Sequence, residues 1–272
     1  MAKAKKQLLR PGSLLKQAIR TAKKLEEAAS AKTLRKPLQV VGFGFLTRNR
    51  RMAVAIARLG RNSAYESRLL LRSMLEIKIN YAWIRLTNKH SRAVRFYQFW
   101  PLERLKLLAN TSTLFKDADY AQKKRALVVE RRKVRHLFRF RDSKGKMQWA
   151  KSWASVSSVE ARLVEVQKKE KPGASPDPFL YGLYVSFSSA THGSPNSIAE
   201  VLKVEEGHLV PSTQPESRPD VHKMGAFIVL AWTIEAFAED ARLRKRCQAD
   251  IRKVSLPLKH LIEQSNKRFG ST

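Results

Sequence analysis

The sequence predicts an all-α protein, a multi-helix bundle with room for one short β-hairpin near 137–149. Apolar residues recur at helical spacing through most of the 272 residues, between breaks marked by Pro, Gly and Asx, and no long stretch alternates as strands do. With 43% hydrophobic side chains, the chain also has enough apolar surface to bury a core.

The elements follow in order. Residues 1–12 read as a basic arm ending at Pro11-Gly12, and Ser13 is placed to cap a helix running to about 30. Lys36-Pro37 breaks the next stretch, so 1–36 stands as a basic arm and helix, and 37–272 as the helical bundle. From about 47 to 86 the pattern is helical, with an interruption near Gly60-Arg61-Asn62; further helices cover about 91–109 and 120–136. In HLFRFRDSKGKMQW (136–149), alternation over 137–141 and the turn residues Asp142-Ser143-Lys144-Gly145 suit a hairpin, and a frayed helix end with a loop suits them equally.

Residues 153–169 return to helix and stop at KPGASP. Asp177-Pro178 supplies an N-cap with proline in the first turn, and Gly193 with Pro195 ends a helix over 178–192. The 207–220 stretch, punctuated by Pro211, Pro215 and Pro219, reads as a mobile loop. A long helix over about 221–251 follows, and Pro257 separates a short terminal one.

Charge is the second theme. The 54 Lys and Arg against 23 Asp and Glu leave a formal net charge of +31. Almost all of it falls in residues 1–150; residues 151–240 are slightly acidic, and 241–272 basic again. The densest stretch, 123–146, contains Lys123, Lys124, Arg125, Arg131, Arg132, Lys133, Arg135, Arg139 and Arg141 against only Glu130 and Asp142. Clustered Lys and Arg displace counterions from a phosphate backbone, so nucleic acid is the expected partner, with an acidic protein or an anionic membrane surface as alternatives. The one cysteine, Cys247, excludes an internal disulfide and a four-cysteine zinc site. No apolar stretch suggests a signal peptide or a membrane span, so a cytoplasmic location is expected.

Two polar stripes lie within apolar helices. In 65–86, Arg68, Arg72 and Glu76 follow at i, i+4 steps among Leu, Ile and Trp. Buried there, they either form a structural pair that tethers helices or leave an excess positive charge for an anion. On the helix expected over 178–192, Tyr181, Tyr184, Ser188 and His192 share one arc. Tyr184, Ser188 and His192 are candidates for proton transfer, with helix packing and capping as the alternative.

The segments AYESRLLLRSMLEIKINYAWIRL (64–86), MQWAKSWASVSSVEARL (147–163) and YGLYVSFSSATHGS (181–194) together resemble an uncharacterised bacterial helical family of the DUF5677 type. The positions carrying the resemblance are Arg72, Glu76, Trp149 or Trp153, Tyr181, Tyr184, Ser188 or Ser189, and His192, within about residues 50–205. It implies a helical bundle and no established activity.

Phosphate-binding loops, dinucleotide fingerprints, His-Glu-x-x-His and Gly-x-Ser-x-Gly motifs are absent, and no cofactor or metal is expected. Arg85…His90 and Arg131…His136 match the loose Arg-to-His spacing of some helical ribonucleases, as often as chance would produce. The reading is a basic helical protein that binds nucleic acid largely through phosphate. A metal-independent helical nuclease, using His192 or His90, is the alternative, and an interaction module for an acidic protein or membrane is a third.

Overall fold

A computed structural model describes residues 10–29, 34–59, 63–110, 118–154, 158–170, 184, 202–205, 208–211 and 219–269. Helix α1 (Pro11–Ala28) begins at its proline, two residues before the expected cap. Proline suits a first helical position, where its missing N–H would have had no partner. Leu14, Leu15, Ala18, Ala22 and Leu25 form its buried stripe.

The same rule corrects the start of α2 (Pro37–Arg58), expected near residue 47. Lys36-Pro37 begins this helix instead of breaking one. The Gln39 carboxamide accepts from the backbone N–H of Arg35 and Lys36 and donates to the Asp240 carbonyl, pinning the helix start to the far end of the chain. After the interruption comes α3 (Ala64–Leu86). The single helix expected over 91–109 is two, α4 (Lys89–Gln98) and α5 (Trp100–Asn110). Pro101 has no N–H to continue the α4 ladder, so the chain turns at Phe99 and restarts.

Helix α6 (Ala118–Lys133) leads through a single turn, α7 (Arg135–Phe138), into β1 (Arg139–Arg141) and β2 (Met147–Trp149). The hairpin is the outcome at 137–149, with Phe140 opposite Gln148. Asp142 decides it, because its Oδ1 accepts from the N–H of both Lys144 and Lys146, while Gly145 takes the positive φ of the turn. Helix α8 (Val159–Glu170) starts later than expected, because Ser158 Oγ caps it by accepting from the Ala161 N–H. Trp153 and Ala154 precede it in a bend and are buried.

A second hairpin pairs β3 (Leu202–Glu205) with β4 (His208–Pro211), and β4 falls at the front of the 207–220 stretch expected to be a loop. The basic arm over 1–9 and the loop remainder over 212–218 lie outside the described residues, as does the 178–192 helix except at Tyr184.

Helix α9 (Pro219–Asp240) is shorter than expected, and α10 (Gln248–Phe269) runs straight through Pro257. Between them the Leu243 N–H bonds to the Ala238 carbonyl and the Arg242 N–H to the Glu239 carbonyl, with Arg242 at φ 58°. This is a Schellman stop with arginine in the place where glycine is usual. Nothing local in the sequence marks it.

Helix α9 is the axis of the fold and packs against α1, α2, α3 and α10. Its 220–240 stretch has the length and mean hydropathy (1.3) to cross a bilayer, but 61% of that stretch is buried inside the protein. The first core is aliphatic, built from α1, α2, α3, α9 and α10 around Leu15, Leu25, Leu46, Ile56, Leu230 and Phe237. The second joins α2 and α3 to α4, α7 and α8 through aromatic rings: Phe45 meets Tyr81 and Phe96 edge-on, Trp153 meets Trp83 and Phe96, and Phe99 meets Phe138.

Candidate nucleic-acid interface and a buried arginine cluster

Helix α6 packs on α5 and otherwise faces solvent. Lys123, Lys124, Arg125, Arg132 and Lys133 are exposed along it, and Arg135, Arg139 and Arg141 continue the exposed run through α7 and β1. Lys133 is paired with Glu130 at 2.6 Å. Among the described residues, Arg125, Arg132, Arg135 and Arg139 hold no ion pair. Like charges packed this closely repel one another, and a polyanion would relieve that repulsion.

Arg131 differs from its neighbours. It is half-buried, with its guanidinium 4.8 Å from the Trp149 ring centroid, and its Nε is buried without a hydrogen-bond partner among the described residues. Arg131 and Trp149 line one end of an open groove of about 1020 Å³. Leu102, Leu105 and Leu107 of α5 give it apolar lining, and Arg104, Lys106 and Lys151 add positive charge. Phe140, half exposed in β1, is paired with Gln148 and so lies on the hairpin face opposite Arg139, Arg141 and Trp149. Aromatic rings among cations are the combination that lets bases stack while phosphates are held.

The two polar stripes meet elsewhere. Arg72 Nε lies 3.2 Å from Glu76 Oε1, and the Arg72 guanidinium sits 5.7 Å from the Tyr184 ring centroid. Burial raises the Tyr184 pKa, and a hydrogen bond from Arg72 pulls it back, so the phenol stays protonated and accepts from arginine. Arg162 of α8 joins the cluster. It is 5% exposed, and burial lowers its pKa against the pull of Tyr184 and Glu76. Its guanidinium also lies 5.4 Å from the Trp153 ring. Arg68 takes a different neighbour, the buried His222, whose pKa is lowered by burial and then by Arg68. Thus Arg72, Glu76 and Tyr184 come together across about 110 residues of chain, and Arg68 stands apart. Ser188 and His192 lie outside the described residues.

The sequence model of DUF5677, a family of unknown function, matches residues 39–209. The chain belongs to this family. No curated protein and no solved structure matches it. The DUF5677 region holds α2 to α8, the basic face, the groove and the arginine cluster, while α1, α9 and α10, which close the aliphatic core, lie outside it.

Three arginines of the DUF5677 region were not apparent as structural residues from the sequence. Arg92 lies 3.6 Å from the Trp83 ring centroid and donates to the Trp83 carbonyl and to Glu165. Arg95 lies over Phe138 and donates to the carbonyls of Leu137 and Trp153, and Arg162 is buried beside Trp153. The signal that could have found Arg162 is its place between Val159, Leu163 and Val166 on the apolar face of α8. Arg85 is equally committed, to Asp240 at 3.0 Å and Glu239 at 3.1 Å, and this removes the arginine from the Arg85…His90 pairing. Among the described residues, no group of three His, Cys, Asp or Glu could hold a metal ion.

Proposed function

We propose that this protein binds nucleic acid, largely through phosphate contacts made by the exposed face of α6, α7 and β1. The observation that carries the reading is the run of Arg125, Arg132, Arg135 and Arg139, exposed and without ion pairs among the described residues, beside a groove edged by Trp149. A solvated helix that served only solubility would gain from interspersed acids, which here are few. The Trp149 edge favours unpaired strands, because a base there is free to stack.

The test is a salt-titrated anisotropy measurement on single- and double-stranded RNA and DNA, with the Arg132→Glu, Arg135→Glu, Arg139→Glu triple variant alongside. Arg131 is left in place because it supports Trp149. Binding should be insensitive to sequence, and the triple variant should flatten the slope of log affinity against log salt by roughly 2–3. Unchanged affinity and slope in a folded triple variant would overturn the reading. Binding to anionic vesicles or an acidic protein, with none to nucleic acid, would shift the proposal to those partners. Strand cleavage in the same samples would promote the nuclease alternative.

A further inference from the structure

Where α9 ends, the chain exposes a run of cations on a well-anchored turn. Arg242, Arg244, Lys245 and Arg246 are exposed, while Leu243 among them is buried in the aliphatic core. The Cys247 N–H bonds back to the Leu243 carbonyl, which closes residues 244–246 into one turn before α10. Arg35 and Lys36 join this corner. Their backbone N–H groups bond to the Gln39 carboxamide, which itself donates to the Asp240 carbonyl, so the entry to α2 is fixed beside the end of α9. Both residues are exposed.

Two observations set the corner apart from a solvated surface. The first is that the carboxylates around it are already taken. Asp240 accepts from Tyr81 and Arg85, Glu239 pairs with Arg85, and Asp250 pairs with Lys24 and Lys253. None of the six corner cations has an ion pair among the described residues. The second is the backbone. Arg242 sits at φ 58°, a left-handed conformation that disfavours any residue with a Cβ. Glycine would make the same stop without that cost. Strain kept at an exposed position asks what the side chain is for, and a guanidinium beside five other unpaired cations is suited to holding phosphate.

We infer that this corner is a second phosphate-contact surface, which holds the backbone of the same nucleic acid that the α6 face binds. The inference rests on the nucleic-acid reading above and carries the contact to segments outside the DUF5677 region. Helix α4 leads from one surface to the other. Lys89 at its start lines a cavity with Arg85 and Glu239, and Phe99 just past its end meets Phe138 of α7. At 1.5 Å per residue its ten residues cover about 15 Å, the reach of roughly four or five nucleotides at 3.4 Å each.

The probe is a single-stranded oligonucleotide of about 30 nucleotides, long enough to reach both surfaces, titrated against the full chain over a range of salt. The Arg244→Glu, Lys245→Glu, Arg246→Glu variant places acids just before α10, where the helix dipole favours them, so it should fold. It is expected to weaken binding and to flatten the slope of log affinity against log salt by roughly 2–3. A charge-matched control, Arg48→Glu, Arg51→Glu, Arg58→Glu, changes exposed residues of α2 on neither surface, and its slope should move by less than about 1. Arg242→Gly is the finer variant. Its thermal midpoint should rise as the strain is lost, while the slope falls by roughly 1.

An unchanged slope in the folded corner variant, or equal losses in corner and control, would overturn the inference. So would an Arg242→Gly chain that gains stability and binds as the native chain does, and this variant decides the matter if the triple one does not fold. Binding that falls in the α6-face triple variant and not in the corner variant leaves the nucleic-acid reading standing and sinks this inference alone. A native chain that binds no nucleic acid overturns both.

Discussion

The aliphatic half of the molecule, α1, α2, α9 and α10, and its aromatic half, α4 to α8, solve the same charge problem in different ways. In the first, cations are held by carboxylates between helices, as Lys24 is by Asp250 at 2.9 Å and Arg50 by Glu26 at 2.8 Å. In the second, arginine enters the structure. Arg92, Arg95, Arg131 and Arg162 each lie over an aromatic ring, and Arg92 and Arg95 also donate to backbone carbonyls. A guanidinium is planar and weakly hydrated, so it stacks and forks where an ammonium would not. The surplus charge therefore has two parts. One holds the aromatic half together, and the other, on α6 and β1, is available to a partner.

The sharpest way to break that distinction is Arg95→Ala. It strands the Leu137 and Trp153 carbonyls and uncovers Phe138, so stability in urea should fall by about 2–4 kcal/mol. Arg132→Ala, in the same charge-rich half, should stay within about 0.5 kcal/mol of the native chain yet lose nucleic-acid affinity. A reversed pattern would mean that the two classes of arginine had been misassigned.

The seam between the halves offers a paired test. A methyl group on Gly42 would collide with Tyr81 Oη, the buried hydroxyl that donates to Asp240 at 2.7 Å. Gly42→Ala should cost about 1–3 kcal/mol. Gly44, two residues on in α2, has nothing within 4 Å of the added methyl group, and Gly44→Ala should stabilise by about 0.5–1 kcal/mol. Thermal melts of the two variants should move in opposite directions. Shifts of the same sign would show that α2 and α3 approach less closely at this seam.

The smallest effect is a pH dependence where α3 meets α9. Burial and Arg68 hold the His222 pKa below its ordinary value of 6.5, so the folded chain keeps this imidazole neutral while the unfolded chain protonates it. As pH falls below 6.5 the unfolded state binds more protons, and stability should decline by at most about 1.4 kcal/mol per pH unit until the folded pKa is reached. Above 6.5 the contribution vanishes. His222→Gln should flatten this part of the stability profile, and an unchanged slope would assign it to other groups.

Much of the architecture was legible locally. Periodicity revealed the helices, the Asp142 to Gly145 turn marked the first hairpin, and the all-round apolar α3 announced a central helix. The errors share a cause. Pro11 and Pro37 were read as breaks because proline ends or begins a helix with the same residue, and only the packing partner tells which. The stop after Asp240 was invisible because it uses Arg242 in a glycine conformation, sustained by burial of Leu243 in the aliphatic core. Pro257 stays within α10, where Ile251, Val254 and Leu258 anchor the helix on the core on both sides of it.

By itself, the sequence determined the helical class, the charge surplus and its concentration in 123–146, because each depends only on neighbouring residues and on composition. Only the tertiary structure decided which arginines are structural and which are free, and that Arg72, Glu76 and Tyr184 share a cluster with Arg162. The physical reason is that charge and periodicity are local quantities. Burial and pairing depend on which distant segments meet, and long-range packing sets that.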